Sequence, residues 1–117
     1  MKGDELKERT KKFAHRCVKL ANSLPNNGLG KHIQKQLIRC ATSIAANYRA
    51  ACVAQSKASF ISKLGIVIEE ADESNFWLEF IIDERMLRKE QVEPLRKESD
   101  QLTAIFTTSR KTAQGKT

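Results

Sequence analysis

Two prolines and five glycines in 117 residues supply little of the turn chemistry that a strand-and-hairpin protein needs at each corner. Aromatic residues are also scarce, at 6% with a single Trp. The three cysteines, Cys17, Cys40 and Cys52, are odd in number and form no CxxC pair, which argues against a disulfide framework and a zinc knuckle. Reduced thiols of this kind predict a cytoplasmic protein. No run approaches the 18 or so apolar residues of a membrane span, and MKGDELKERTKK lacks the apolar centre of a signal peptide. The motifs GxxxxGK[ST], GxGxxG and HExxH are missing, leaving phosphate-cradling, dinucleotide and zinc-protease chemistry without a carrier. A chain of this length makes one domain with a real core, which excludes a large multidomain enzyme.

What the chain has is charge and helix formers. Twenty-one Lys and Arg against fourteen Asp and Glu give a net charge of +7, and the pI near 9.5 is that of a candidate nucleic-acid binder. The charge is uneven. Residues 1–68 carry thirteen cations and three acids, a net +10, while residues 69–117 carry eight cations and eleven acids, a net −3.

Apolar residues recur at steps of three and four in four segments, the period of an amphipathic helix. From Asp4 to Ser23 the stripe is Leu6, Thr10, Phe13, Cys17, Leu20 and Leu24, and Pro25-Asn26-Asn27-Gly28 then stops the helix. From Gly30 to Val53 it is Ile33, Leu37, Cys40, Ile44, Asn47 with Tyr48, and Ala51, on a helix made slim by Ala45, Ala46, Ala50 and Ala54. The third segment, Ser56 to Arg85, carries Phe60, Leu64, Val67, Ala71, Ser74, Leu78 and Ile81, with Ser56 or Ser59 as its N-cap. The fourth, Lys89 to Arg110, carries Val92, Leu95, Ser99, Leu102, Ile105 and Phe106. Pro94 places its regular start near Val92 or Glu93. Four such helices with short loops predict an all-α, up-down-up-down antiparallel four-helix bundle over residues 1–111, followed by a flexible basic tail over 112–117.

The third helix is apolar on more than one side, since Phe76, Trp77 and Phe80 lie off its stripe. That surplus predicts a second subunit, with Trp77 and Phe80 at the oligomer interface. Asn47, a carboxamide on an apolar stripe, is expected to fix helix register. The acids Glu69, Glu70, Asp72 and Glu73 are the one place for a carboxylate site, but a dimetal bundle needs Glu-x-x-His from two helices. His15 and His32 do not supply that pattern. The acids are therefore expected to face water or to pair with cations of neighbouring helices, with no metal, no cofactor and no catalytic residue.

The basic half offers more. Lys12, Arg16 and Lys19 follow i, i+4, i+7 on the first helix, and Lys31, Lys35 and Arg39 follow i, i+4, i+8 on the second. Two cationic lines on neighbouring helices predict a patch that neutralises phosphates of RNA or DNA without reading bases. The alternative is a structural scaffold or protein-interaction module whose charge serves solubility.

The run Gln36-Leu37-Ile38-Arg39-Cys40-Ala41-Thr42-Ser43-Ile44-Ala45-Ala46-Asn47-Tyr48-Arg49-Ala50 resembles the signature helix of a bacterial four-helix-bundle family. That family is named for reading frames in intervening sequences of large-subunit ribosomal RNA genes, and is also called a ribosomal-protein family. The likeness continues through Ser56-Lys57-Ala58-Ser59-Phe60-Ile61-Ser62-Lys63-Leu64-Gly65-Ile66-Val67 and Glu69-Glu70-Ala71-Asp72-Glu73-Ser74-Asn75-Phe76-Trp77-Leu78, covering roughly Leu24 to Glu84. The resemblance implies a ring-like homopentamer. It also implies a kinship with the accessory protein of diversity-generating retroelements, a basic pentameric barrel that binds nucleic acid and works with a reverse transcriptase. By similarity, the nucleic-acid surface here uses cations of the first two helices. One stretch departs from the family: many members read Asn-Ile-Ala-Glu-Gly where this chain has Asn47-Tyr48-Arg49-Ala50-Ala51. The added Arg49 is expected to pair with Glu70 or Glu73 of the third helix, inside a subunit or between subunits.

Overall fold

The computed structural model describes residues 3–116. They form four helices, α1 (Gly3–Ala21), α2 (Gly28–Cys52), α3 (Lys57–Asp83) and α4 (Lys89–Ala113), in a body of 45 × 23 × 20 Å. The order in space follows the chain. Asn22 accepts a hydrogen bond from Gln34 while Gly3 lies beside Tyr48 and Cys52, so α1 and α2 run antiparallel. His32 meets Trp77 and Arg39 meets Glu70, which makes α2 and α3 antiparallel as well. Asn75 meets Asp100 and Gly65 faces Arg110, completing the up-down-up-down arrangement. The closing seam, α1 against α4, is the most sparsely packed of the four.

The apolar stripes become the core. Leu6, Phe13, Cys17 and Leu20 of α1, Ile33, Leu37, Cys40, Ile44 and Tyr48 of α2, Leu64, Val67, Ala71, Leu78 and Ile81 of α3, and Val92, Leu95, Leu102 and Phe106 of α4 are all buried. Tyr48 reaches across the bundle to Phe106, with ring centroids 5.0 Å apart. The three aliphatic hydroxyls buried on these stripes are satisfied within their own helices: Thr10 donates to the Leu6 carbonyl at 2.9 Å, Ser74 to that of Glu70 at 2.9 Å and Ser99 to that of Arg96 at 2.7 Å. A buried hydroxyl without such a partner would cost about 1–3 kcal/mol.

The helix ends show their causes. Asn27 caps α2 by accepting from the Gly30 amide at 2.8 Å, and Ser56 caps α3 by accepting from the Ser59 amide at 3.0 Å. The turn before α2 folds back so tightly that a Cβ on Gly30 would sit 1.9 Å from the Pro25 carbonyl oxygen. At the end of α3, Arg85 takes a left-handed conformation (φ 54°), and the Arg85 and Met86 amides bond to the Ile82 and Ile81 carbonyls. This is the double-bonded helix stop usually built on glycine.

Three expectations are corrected. Helix α4 begins at Lys89, with Pro94 inside it. Pro94 is exposed, so the carbonyl one turn earlier loses its helical donor on a face open to water, where the loss is mild. The same helix runs on past Arg110 through Ala113, and Gly115 follows it in the left-handed conformation (φ 77°). Within the segment placed as tail, residues 112 and 113 are helical, and Thr117 lies outside the described residues. Finally, Asn47 is not on the core stripe: Tyr48 fills that position and Asn47 is half-buried beside it.

Candidate nucleic-acid interface

Helical geometry decides which cations face outward. With about 3.6 residues per turn, the α1 residues not consumed by the core stripe spread over the remaining faces. Lys12, Arg16 and Lys19 of α1 and Lys31 and Lys35 of α2 are all exposed. Among the described residues none of these five has an acid within ion-pair distance. The register set by Gln34 and Asn22 brings Lys31 and Lys35 to the Lys19 end of α1. Lys12 and Arg16 line a shallow recess on the outer side of α1 together with Glu8, Arg9, Lys11 and His15.

Arg39, the sixth cation of the predicted patch, is placed differently. Its guanidinium reaches across to α3, where it bonds Glu70 at 3.2 Å and Glu73. The hydrogen bond to Glu73, followed by the charges of the two carboxylates, holds its pKa above the ordinary arginine value. Glu73 also accepts from the Trp77 indole at 3.3 Å, and Trp77 packs edge-on against His32 at 5.5 Å. Arg39 is thus the polar clamp of the α2/α3 seam. Within the subunit Arg39, not Arg49, takes this position. Arg49 lies ten residues further along α2, on the side facing α1.

There it joins a second feature. Lys7, Glu8, Lys11, Ala14, His15 and Val18 of α1 and Thr42, Ala45, Ala46 and Arg49 of α2 line a groove of about 590 Å³ along the α1/α2 seam. Its floor is made of small apolar side chains and its rim is mainly cationic. Lys7 and Lys11 repeat the i, i+4 spacing of the neighbouring cations, so the signal was present in the sequence. Only the facing of α1 toward α2 separates them from Lys12 and Arg16.

Asn47 donates to the Ser43 carbonyl and hydroxyl, both at 2.9 Å. Its amide nitrogen is thus spent on its own helix, and among the described residues it bonds no neighbouring helix. Trp77 and Phe80 are half-buried and packed against the core, while Phe76 between them is 52% exposed. The three rings touch, with centroids 5.0 Å apart for Phe76 and Trp77 and 5.9 Å for Phe76 and Phe80.

The chemistry of the remaining reactive groups is muted. Burial pushes the Cys17 thiol up, and it pushes Cys40 up to about 11, against a weaker opposing effect of the hydrogen bond from Ser74. Both are neutral thiols and poor nucleophiles at neutral pH. Cys52 is exposed. Glu70 and Glu73 pair with Arg39, whereas Glu69 and Asp72 face water. Among the described residues, no three His, Cys, Asp or Glu side chains converge to hold a metal ion, and no helix is long and apolar enough to cross a membrane.

Comparison with known proteins gives a single consistent result. A family profile described as 23S rRNA-intervening sequence protein matches residues 4–108. A crystal structure of a protein with unknown function from the S23 ribosomal protein family, from Bacteroides thetaiotaomicron, superposes with a TM-score of 0.84 at 37% identity. The match covers 90% of this chain and 97% of that one. No curated protein matches.

Proposed function

We propose that this chain, which belongs to the 23S rRNA-intervening sequence protein family, is a non-enzymatic, self-associating helical bundle of the cytoplasm that binds RNA or DNA through α1 and α2. The observation that carries this reading is the set of five exposed cations, Lys12, Arg16, Lys19, Lys31 and Lys35, that have no acid within ion-pair distance among the described residues. A cation already neutralised by a carboxylate has little to give a phosphate, which removes Arg39 from the surface. Unpaired cations on a rigid helix bind the backbone by releasing its counterions. They carry no base-edge code, so the reading is of an affinity for shape and charge.

The test is fluorescence anisotropy of the nuclease-treated protein with labelled structured RNA, single-stranded RNA and duplex DNA, between about 50 and 200 mM salt. Binding is expected to weaken with a log–log slope near −0.9 per phosphate contacted on duplex DNA. The variant Lys12→Gln, Arg16→Gln, Lys19→Gln, Lys35→Gln is expected to flatten that slope while keeping the helical circular dichroism. Unchanged binding by this variant would place the surface elsewhere. The absence of binding at the lowest salt would favour the second reading, a self-assembling scaffold or protein-interaction module. Phe76 speaks for that one, since a phenyl ring half open to water gains by being covered.

A further inference from the structure

We infer that the α1/α2 groove of one copy receives the outer face of α3 of a second copy, in a head-to-tail contact that repeats from molecule to molecule. The inference rests on the self-association proposed above and assigns its two surfaces.

The donor surface is on α3. Opposite its core stripe, the 3.6-residue period aligns Glu69, Asp72 and Phe76 on one exposed face. Glu69 and Asp72 have no cation within ion-pair distance among the described residues, in contrast to Glu70 and Glu73 on the flank. The face continues toward Glu79 and Asp83, which lie beside Lys89, Glu93 and Arg96 of α4, where the two cations already pair with Glu93 and Asp100. Glu69, Asp72 and the exposed ring lie together in the middle of the helix.

The acceptor surface is the groove. Ala14, Val18, Ala45 and Ala46 leave its floor shallow in side chain, so a ring can enter between two helices. Lys7 and Lys11 stand one turn apart on its α1 rim, matching the one-turn spacing of Glu69 and Asp72, and Arg49 stands on the opposite rim. Glu8 is the one acid at the groove, and Asp4 approaches Lys7 only at 3.9 Å from a side chain that is 99% exposed. The two surfaces are complementary in sign, and an exposed ring on one faces a floor of small side chains on the other, but neither is complementary to itself. A like-with-like, two-fold dimer through either one would set acid against acid or base against base.

A contact between two different patches of the same chain is heterologous. Each molecule keeps a free groove and a free α3 face, so the association grows into a closed ring or a filament according to the rotation between neighbours. The contact also divides the basic half of the protein. Lys7, Lys11 and Arg49 serve assembly, and Lys12, Arg16, Lys19, Lys31 and Lys35 are left for phosphates.

Charge reversal tests the pairing. The groove variant Lys11→Glu, Arg49→Glu and the face variant Glu69→Lys, Asp72→Lys are each expected to sediment as the 13.2 kDa monomer where the unmodified protein sediments as an oligomer. All these positions are exposed or half-buried, and circular dichroism reports whether the helices are kept. Combining the four changes in one chain restores the complementarity with reversed sign, and is expected to restore the oligomer. Variants that keep the oligomeric mass would overturn this contact and leave self-association standing, and so would a monomeric four-change chain. An unmodified protein that sediments as a monomer at all concentrations would overturn the contact and the self-association reading together.

Discussion

Arg9 of α1 grips Glu98 of α4 with both prongs of its guanidinium, Nε to Oε2 at 2.7 Å and Nη2 to Oε1 at 2.8 Å. It does so across the seam where the two helices pack least closely. The same Nη2 donates to Gln101 at 2.8 Å. Two-pronged pairs are the strong form of this interaction, and the hydrogen bond that Arg9 donates to Glu98 holds the Arg9 pKa above its usual value. With side chains only 25% and 17% exposed, the pair is screened less than a surface one.

Replacing Glu98 by Gln leaves Arg9 without its charged acceptor and is expected to cost about 1–2 kcal/mol in urea unfolding. Asp4→Asn, which removes the fully exposed partner of Lys7, is expected to change stability by less than about 0.5 kcal/mol. Equal effects of the two would show that the α1/α4 seam does not depend on Arg9.

Gly30→Ala introduces a methyl group into the space occupied by the Pro25 carbonyl. The turn must open to admit it, and the Asn27 cap is lost with it. The expected cost is about 1–3 kcal/mol, seen as a lowered thermal midpoint, whereas Gly28→Ala meets nothing within 4 Å and is expected to be close to neutral.

Arg85→Gly acts in the opposite direction. The left-handed backbone at Arg85 is adopted by glycine without steric penalty, so the variant is expected to gain about 0.5–1 kcal/mol. A measured loss would mean that the Arg85 side chain contributes contacts that outweigh its backbone.

The thiols give a pH signature. In the unfolded chain Cys40 titrates near the model-peptide value of 9.0, and in the native bundle burial moves it up to about 11. Between these values the unfolded form has lost the proton that the folded form keeps. Stability is therefore full below about pH 9 and falls as pH rises toward 11, by up to about 1.4 kcal/mol for each unit of separation. Cys17, raised by the same cause, adds to the slope. Cys40→Ala is expected to reduce that slope. Under native conditions at neutral pH, a thiol reagent is expected to modify Cys52 within its ordinary time and to reach Cys17 and Cys40 only on unfolding.

The helices were legible because their signals are local. The three-and-four spacing of Leu6, Thr10, Phe13, Cys17 and Leu20 names a buried face without knowledge of what covers it, and every one of these residues is buried. Ser56 and Gly115 announce helix ends through chemistry contained in a few residues. Where local rules misled, a tertiary circumstance had changed the cost. Pro94 sits inside α4 because the carbonyl it deprives is on an open face, and Arg85 takes the position of a glycine because the α3/α4 turn brings Met86 back onto the core.

The sequence by itself determined four amphipathic helices, their order, their core and an excess of positive charge on the first two, because each of these follows from residue type and helical period. Only the tertiary structure decided which charges remain available. Arg39 and Arg49 are both cations on exposed positions of α2, and nothing in their spacing tells them apart. The packing of α2 between α1 and α3 turns one toward Glu70 and Glu73 and the other toward the α1 groove, since the pairing of charges depends on which helix lies opposite, and that is a property of the assembled bundle.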